Sequence, residues 1–507
     1  MTGVSRRGLL QAALAAAPVL SQINQAQAAG SDHVTIGWPS DVPSWDPDQR
    51  FAPDAQGIFK MVFDQPLDQS PTLQLVPHLI TKWQLAPDGR SLAVTLRDDV
   101  TFHNGDKMTS ADFRYTFFER IKADPKLDIG RSWRKVTDIE TPSPTTAIMR
   151  FSSPAPTAPV WLAFLGSFVV PKTYLEHVGA DGFRAKPVGT GPYKLAEYEM
   201  NARIVLERND AYWGPKPALK RVTIEIIKDP SARVAAIQSG QIDLTISVPV
   251  REVTRLKAMP NLAGELNPIT RVILLQIRND EGFSDQNVRL AAHHAIDKAA
   301  LSKAFYGGAA VPLSVPATPG TPGYLADFKF PYDPAQAKAL LAKSGYSLAK
   351  PKKIRMATTN GQFPSDYDIA RAIVAMWKKV GLDAELEVIE YAKYFELNRG
   401  DKLPEATLYS FDNATGDPEI YTGYLLNPQL PFSPWKDKVF GAKVIAMFNV
   451  ADEKARIAGW RKLNREAVEI GASIPLLQSV QTLVRRKSLA YTRYGNGWVL
   501  GQTMKWS

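Results

Sequence analysis

The sequence predicts an α/β fold with two lobes. Two strand–helix–strand patterns, at residues 221–246 and 354–389, lie far apart in the chain. Each pattern has a strand rich in apolar residues, a helix that ends at a glycine and a second strand, as in the crossover units of α/β sheets. With 507 residues, the chain is also too long for one ordinary hydrophobic core. These observations favour two α/β lobes joined by irregular segments.

The first half of the chain alternates predicted strands with two helices. The predicted strands are 34–37, 91–97, 204–207, 221–227 and 241–246. Helices are predicted over 110–122, where Ser110 can serve as the N-cap, and over 231–239, which ends at Gly240. The proline-rich segment 141–159 is predicted to be a connector without regular structure.

The second half contains the longer predicted helices. Its predicted elements are a helix at 287–306, a long loop at 311–334, a helix at 334–343, a strand at 354–358, a helix at 366–380 and a strand at 384–389. Gly307 and Gly381 follow two of these helices, and Pro334 opens a third. We detect no short internal repeat in either half.

Residues 1–28 have the parts of a secretory signal peptide. A basic pair at 6–7 precedes an apolar stretch, and the small-residue motif at 26–28 (AQA) fits a cleavage site. The run SRRGLL at 5–10 also resembles a twin-arginine export signal, with general secretory export as the alternative. The sequence therefore predicts a periplasmic protein whose signal peptide is cleaved near Ala28.

Composition narrows the possible partners. The chain has no cysteine, so we expect neither disulfides nor a lipid-modified cysteine anchor. Its 61 basic and 51 acidic residues give a net charge of +10, but the basic residues are spread out and the tightest cluster is 485–487. A nucleic-acid interface needs a concentrated basic stripe. We expect a monomer, free in the periplasm, that does not bind nucleic acid.

No enzymatic or metal-binding motif is present. The sequence lacks H-E-x-x-H, G-x-S-x-G and Walker motifs and has no cysteine nucleophile. Among the histidines only His293 and His294 are close in sequence, and adjacent side chains on a helix point apart. No catalytic residue, metal or cofactor is predicted. A secreted hydrolase stays an alternative, because acidic pairs for glycoside hydrolysis have no sequence signature.

Several segments, in order along the chain, carry a family resemblance. They are LITKWQLAPDGR (79–90), LRDDVTFHNG (96–105), TSADF (109–113), PVGTGPY (187–193), ERNDAYWG (207–214), SGQID (239–243), FSDQNVR (283–289), AID (295–297) and WKKVG (377–381). Together they resemble family 5 of the extracellular solute-binding proteins, the receptors of dipeptide, oligopeptide, nickel and opine importers. Each match is short, whereas the ordered set is specific.

The resemblance implies the periplasmic-binding-protein type II fold, in which two α/β lobes with a hinge are accompanied by an inserted additional domain. The boundaries expected are signal peptide 1–28, lobe I 29–66, inserted domain 67–186, lobe I 187–275, lobe II 276–472 and lobe I 473–507. The implied function is non-enzymatic. An ABC-transporter receptor would enclose a peptide or related small solute between its lobes and deliver it to permease subunits in the inner membrane. A periplasmic chaperone or sensor partner with the same fold is the alternative.

The segment YSFDNATGDPEIY (409–421) carries the main ligand-site candidates. Peptide receptors of this family hold the ligand's α-amine with an acidic residue in a D-N-G-D-P run. Here Asp412-Asn413 and Asp417 resemble the two halves of that run, and Asp412 is the candidate amine anchor. Without a gap, the acidic position falls on Ala414 instead. The alternative for Asp412 and Asp417 is to cap a helix or turn.

Other candidates surround the expected cleft. Tyr409 and Phe411 can line the same wall, and Arg271, near the expected hinge crossing, can hold a ligand carboxylate or form an interdomain ion pair. Trp38 and Trp45 follow the first strand and suit either an amphipathic pocket or a core.

One candidate departs from the pattern of the dipeptide receptors. Those receptors have a carboxylate-binding arginine after the strand that corresponds to 354–358, where this chain has Asn360. Asparagine cannot form a bidentate charged pair with a carboxylate. This difference disfavours dipeptides and leaves longer peptides, opines or sugars as ligands.

Overall fold

The computed structural model describes residues 32–430 and 433–507, so the predicted signal peptide and export signal lie outside the described residues. The strands are β1 (His33–Trp38), β2 (Leu67–Gln69), β3 (Leu75–Pro77), β4 (Ile80–Leu85), β5 (Ser91–Leu96), β6 (Val136–Ser143), β7 (Thr146–Phe151), β8 (Tyr193–Glu199), β9 (Arg203–Arg208), β10 (Arg221–Ile226), β11 (Leu244–Ile246), β12 (Leu262–Ile277), β13 (Lys352–Thr358), β14 (Leu382–Val388), β15 (Ala406–Phe411), β16 (Ile474–Arg486), β17 (Leu489–Ala490) and β18 (Lys505–Trp506).

The helices pack around these strands. They are α1 (Gln56–Val62), α2 (Ser110–Arg114), α3 (Arg120–Ala123), α4 (Gly130–Trp133), α5 (Ala158–Trp161), α6 (Lys172–Ala185), α7 (Pro230–Ser239), α8 (Val250–Lys257), α9 (Gln286–His294), α10 (Lys298–Tyr306), α11 (Pro334–Lys343), α12 (Asp366–Lys378), α13 (Tyr391–Arg399), α14 (Lys438–Met447) and α15 (Glu453–Glu469). No helix in the described part of the chain is both long and apolar enough to cross a membrane.

One ten-stranded sheet runs through the molecule, in the order β14-β13-β15-β12-β16-β11-β1-β10-β9-β8. We call the side that contains β1 and β8–β11 lobe I and the side that contains β13–β15 lobe II. The long antiparallel strands β12 and β16 belong to both sides. The two lobes are therefore joined through a pair of continuous strands.

The ladder between β12 and β16 is interrupted where it passes from one lobe to the other. Pro268 pairs with Val480 and Val272 with Gln478, so three residues of β12 stand opposite one residue of β16. Such a bulge bends the strand locally. Arg271 lies in this bulge.

Strand direction brings one edge of each lobe towards this crossing. In lobe I, β1 pairs in parallel with β10 and β11, and in lobe II β13 pairs in parallel with β14 and β15. The last residue of β15 pairs with the β12 residue next to the bulge, and the last residue of β11 pairs with β16 near it. The carboxyl ends of both sets of strands thus face the gap between the lobes, where α/β proteins bind ligands.

A second, four-stranded sheet, β4-β5-β7-β6, forms an additional domain. It shares one hydrophobic cluster with lobe I, which extends from Val34 and Leu206 to Phe113 and Met149. Lobe II has separate clusters, one of them around Trp377 and Leu408. Because their core is continuous, we expect lobe I and the additional domain to move as one body.

Two predicted elements were wrong. The segment predicted as a connector, 141–159, contains the end of β6, all of β7 and the start of helix α5. Its prolines lie around the hairpin turn and after β7, and the strand's alternate residues Ala147 and Met149 are buried. The helix predicted over 287–306 is two helices, because Asp297 leaves the helical conformation and caps α10 by accepting a hydrogen bond from the backbone of Ala300.

Candidate functional site

Arg271 connects the two lobes at the strand crossing. Its Nε donates to Oδ1 of Asp412 at 3.2 Å, and its Nη2 donates to Oδ1 of Asp54 at 3.0 Å. Asp412 directly follows β15 in lobe II, whereas Asp54 lies in a short 3₁₀ turn, Pro53–Ala55, on the lobe I side. The guanidinium therefore lies between one carboxylate from each lobe.

Burial and charge act against each other in this cluster. Burial opposes the charge of Arg271, but the carboxylates of Asp54 and Asp412 outweigh it and raise the pKa of Arg271 above its usual range. Burial raises the pKa of Asp412, and Arg271 offsets only part of that increase. Asp412 thus depends on the nearby guanidinium to stay ionised.

Aromatic side chains of lobe II stand beside this charge cluster. The ring of Tyr409 stacks on that of Tyr394 with centroids 4.2 Å apart and planes 11° from parallel, and Phe411 lies 6.5 Å from Tyr409. On the same helix as Tyr394, Tyr391 and Phe395 are 38% and 39% exposed, and their ring centroids lie 5.0 Å apart. These two rings form an exposed aromatic surface at the carboxyl end of the sheet, whereas Tyr394 and Tyr409 are buried.

Ala414 lies in an apolar cluster with residues from outside lobe II. Its neighbours are Phe164 and Leu165 of the additional domain and Trp498 and Leu500 of the C-terminal segment. Ala414 is the position where an ungapped match to the peptide receptors would require an acid. In this chain the position is apolar and buried.

Two further residues of the 409–421 segment, Asn413 and Asp417, are held by contacts within lobe II. Asn413 is fully buried and donates to the backbone oxygen of Asp417 at 2.8 Å. Asp417 forms a two-point ion pair with Arg456, at 2.9 and 2.6 Å, and accepts a bond from the backbone of Glu419. A ligand role for Asn413 and Asp417 stays a prediction, since both side chains have internal partners here.

The other predicted ligand residues lie in different surroundings. Trp38 and Trp45 are buried in the lobe I core, where Trp45 meets Phe59 and Tyr198 edge-on. Asn360 is exposed in the loop after β13. That loop is at the same edge as Asp412, because β13 and β15 run parallel. Asn360 and Arg271 therefore lie at the gap between the lobes. A ligand role for the two buried tryptophans stays a prediction.

The sequence interpretation missed Asp54 and the aromatic residues of α13. No local pattern marks Asp54, which is brought to Arg271 from 217 residues away. The aromatic residues carry a usable signal, because Tyr391, Tyr394 and Phe395 all occur within seven residues of the end of β14, the last strand of the second crossover unit. Aromatic rings at the carboxyl end of a parallel strand favour a ligand site.

No group of three or more potential metal-ligating side chains occurs in the described residues. The cluster of Arg271, Asp54 and Asp412 is instead suited to polar recognition by charge and hydrogen bonds. Its flanking rings can cover the apolar part of a ligand.

Comparison with known proteins places the chain in a family. The model for bacterial extracellular solute-binding proteins, family 5 Middle, matches residues 74–429. The nickel-binding periplasmic protein of Escherichia coli (strain K12) is 30% identical over 359 residues, which cover 66% of this chain and 65% of that protein. The chain therefore aligns with about two thirds of that relative's length.

Solved structures show the same fold. The periplasmic binding protein DppA of Helicobacter pylori, in complex with the peptide STSA, superimposes with a TM-score of 0.81 at 23% identity and covers 95% of this chain and 99% of that one. NikA of Brucella suis, in complex with Fe(III)-EDTA, gives a TM-score of 0.82 at 22% identity, covering 94% and 100%. The predicted type II two-lobe fold is confirmed. This chain belongs to family 5 of the bacterial extracellular solute-binding proteins.

Proposed function

We propose that this family 5 solute-binding protein is the receptor of an ABC importer, that it encloses a small solute between its two lobes, and that Arg271 anchors the solute. The observation that carries the proposal is the position of Arg271 in the bulge between the lobes, in contact with a carboxylate from each side. A charged group at this point contacts carboxylates of both lobes only while the lobes are close together.

Arg271 has donors available for a ligand. Its bonds to Asp54 and Asp412 use two of the five N–H groups of a guanidinium. Asp54 is 55% exposed, so an incoming carboxylate can replace it at little cost in solvation. We infer that the solute carries an acidic group, which binds Arg271, and an apolar part, which covers Tyr391 and Phe395.

The ligands of related proteins support an acidic solute. A peptide and Fe(III)-EDTA, the ligands in the two structures compared above, both present carboxylates. The departure at Asn360 is consistent with this proposal, because the cation that is missing there is present at Arg271 instead. A peptide or an opine-like solute meets these requirements.

Closure couples binding to transport. The solute stabilises the closed arrangement only if it binds that arrangement better than the open one. A ligand that contacts Arg271 in the bulge and the α13 rings of lobe II satisfies this condition, because it spans the crossing. We further infer export by the N-terminal signal, a periplasmic monomer, docking to inner-membrane permease subunits, and no catalytic activity.

Ligand panels on the mature protein test the proposal. We expect peptides or opines with a free carboxylate to raise the melting temperature and, by small-angle scattering, to lower the radius of gyration. Arg271→Met should weaken binding of the same solute by about tenfold or more, as expected for loss of a charged hydrogen-bond pair.

Arg221→Met is the matched control, because Arg221 also pairs with a carboxylate, Glu207, but on the exposed surface of lobe I. It should leave affinity unchanged. Equal affinity in the Arg271 and Arg221 variants would contradict the anchoring role. Turnover of the bound solute would contradict the receptor function itself.

A further inference from the structure

A cavity lies between the additional domain and lobe II, on residues that the proposed site does not use. Its volume is about 50 Å³, and its wall includes Lys135 and Thr157 from the additional domain and Glu419, Tyr424 and Phe448 from lobe II. This volume corresponds to about four water molecules. It therefore fits a small polar head group and not a whole peptide.

Glu419 is the one acidic residue in the wall. It is 4% exposed, and its Oε1 accepts a hydrogen bond from the hydroxyl of Thr157 at 3.1 Å. Its Oε2 has no hydrogen-bond partner within residues 32–430 and 433–507. A buried carboxylate oxygen without a donor is costly, and an occupant that donates to it would relieve that cost.

The other side of the wall is basic. Arg131, Arg134 and Lys135 all contribute to it. The ammonium of Lys135 donates to the backbone oxygens of Pro154 at 2.6 Å and of Phe448 at 3.4 Å, so it is fixed at the junction of the two domains. Arg131 already pairs with Asp128 at 2.9 Å, so Arg134 and Lys135 are the cations of the wall that favour an occupant with negative charge.

Aromatic rings close the remaining side. Trp161 and Tyr424 lie 6.1 Å apart, and Tyr424 and Phe448 lie 6.3 Å apart, between centroids. These rings are only partly buried. They can cover a carbon side chain that extends from the cavity towards solvent.

We propose that this cavity binds the zwitterionic head group of an α-amino acid, with the ammonium group at Glu419 and the carboxylate at the Arg134 and Lys135 side. The inference rests on the proposed solute-binding function and adds a second recognition point at the interface of the lobes. Because the wall comes from both domains, an occupied cavity holds the lobes together.

Calorimetry and thermal shift on the mature protein test this inference. The probes are the proteinogenic L-amino acids, with acetate and ethylamine as the two separate halves of the head group. We expect at least one amino acid to bind, and both halves alone to bind at least about tenfold more weakly. Glu419→Gln, which keeps a hydrogen-bond acceptor for Thr157, should reduce affinity about tenfold or more.

Glu140→Gln is the matched control. Glu140 lies in β6 of the additional domain, which supplies the opposite side of the wall, but it pairs with Arg150 at the surface, outside the cavity. It should bind the amino acid like the unchanged protein. If Glu419→Gln does not fold, Arg134→Met on the exposed rim replaces it, with the same expected loss.

The pH dependence is a second readout. Burial, reinforced by Asp417 and opposed in part by the cations Arg456 and Lys135, raises the pKa of Glu419 to about 7. An ammonium group needs the ionised carboxylate, so affinity should rise between pH 6 and pH 8 and lose this dependence in Glu419→Gln.

The failure of this inference can be separated from that of the proposed function. If no amino acid binds, or if one binds Glu419→Gln equally well, the cavity holds water only and the inference is wrong. The receptor proposal survives that result if Arg271→Met still weakens binding of another solute. Absence of binding by every peptide, opine and amino acid would overturn both.

Discussion

Two aspartates that follow the end of β15 each pair with an arginine, and the two pairs differ in the parts of the molecule that they connect. Asp417 and Arg456 both belong to lobe II, are 8% and 4% exposed, and meet through two hydrogen bonds. Asp412 is five residues earlier and shares Arg271 with Asp54 of the other lobe. The first cluster can fix only the shape of lobe II, whereas the second can respond to the distance between the lobes.

This comparison shows why the type of residue is not sufficient to identify a ligand anchor. In the sequence, Asp412 and Asp417 are equivalent halves of one motif. In the structure, Asp417 has a buried partner in its own lobe, while the partner of Asp412 lies in the strand bulge. Substitutions that separate folding from closure should therefore affect the two clusters differently.

The largest expected effect is on the buried pair. Asp417→Asn leaves Arg456 as a buried charge without its carboxylate and should lower the free energy of unfolding by about 3–5 kcal/mol. Urea denaturation measures this change. Glu207→Gln, in the exposed pair with Arg221, is the control and should cost less than about 1 kcal/mol. Equal effects of the two substitutions would show that burial does not distinguish these pairs.

Lys298 is a buried cation of lobe II. Unlike Arg456 and Arg271, it has no carboxylate among its hydrogen-bond partners in the described residues. Its ammonium contacts the backbone oxygen of Leu313 at 2.7 Å and Nε2 of His293 at 2.8 Å, and burial lowers the pKa of Lys298 to about 7. An unperturbed lysine, as in the unfolded chain, has a pKa of about 10. Between pH 7 and pH 10 the unfolded chain therefore binds more protons than the folded protein, so the free energy of unfolding should rise with pH over this range.

Lys298→Met should remove this slope. It should also raise the free energy of unfolding at pH 7 by about 2 kcal/mol, because loss of the two hydrogen-bond contacts offsets part of the roughly 4 kcal/mol that the lowered pKa represents. Denaturation at a series of pH values measures it. Burial also lowers the pKa values of His293 and His294, so their titration lies below this window. Lys303→Met, at an exposed position of the same helix, should keep the slope of the unchanged protein. If the stability of Lys298→Met still rises between pH 7 and pH 10, other titrating groups cause that rise.

The smallest effect on stability is expected for Asp54→Asn. Asp54 is 55% exposed, so its removal should change the free energy of unfolding by less than about 1 kcal/mol. The lobes should nevertheless open more readily, and scattering should show a larger radius of gyration without solute. Asp99→Asn, in an exposed pair with Arg97 within the additional domain, should leave the radius unchanged. A larger radius of gyration for Asp99→Asn than for Asp54→Asn would show that the contact of Arg271 with Asp54 does not hold the lobes together.

Short-range patterns predicted most elements of the fold. Asp229 and Asp333 cap α7 and α11, and Gly240 adopts a positive φ of 84° at the end of α7. These signals act within a few residues, so the sequence displays them directly. The β6–β7 hairpin was missed because its prolines favoured a loop, while the pairing that forms it depends on the neighbouring β5.

The site was less accessible to sequence interpretation. Arg271 and Asp412 were both candidates, but their direct bond joins residues 141 positions apart. The buried positions of Trp38 and Trp45 and the cavity beside Glu419 also depend on how domains pack. No local pattern records such contacts.

The α/β class, the ordered family motifs and the polar residues near the end of β15 are all visible in the amino-acid sequence. Which aspartate contacts Arg271 at the strand crossing depends on the folded chain, because strand crossing and domain packing join segments whose separation along the chain exceeds the range of any local pattern. The charge of a side chain belongs to one residue, whereas its partner and its burial are set by the fold.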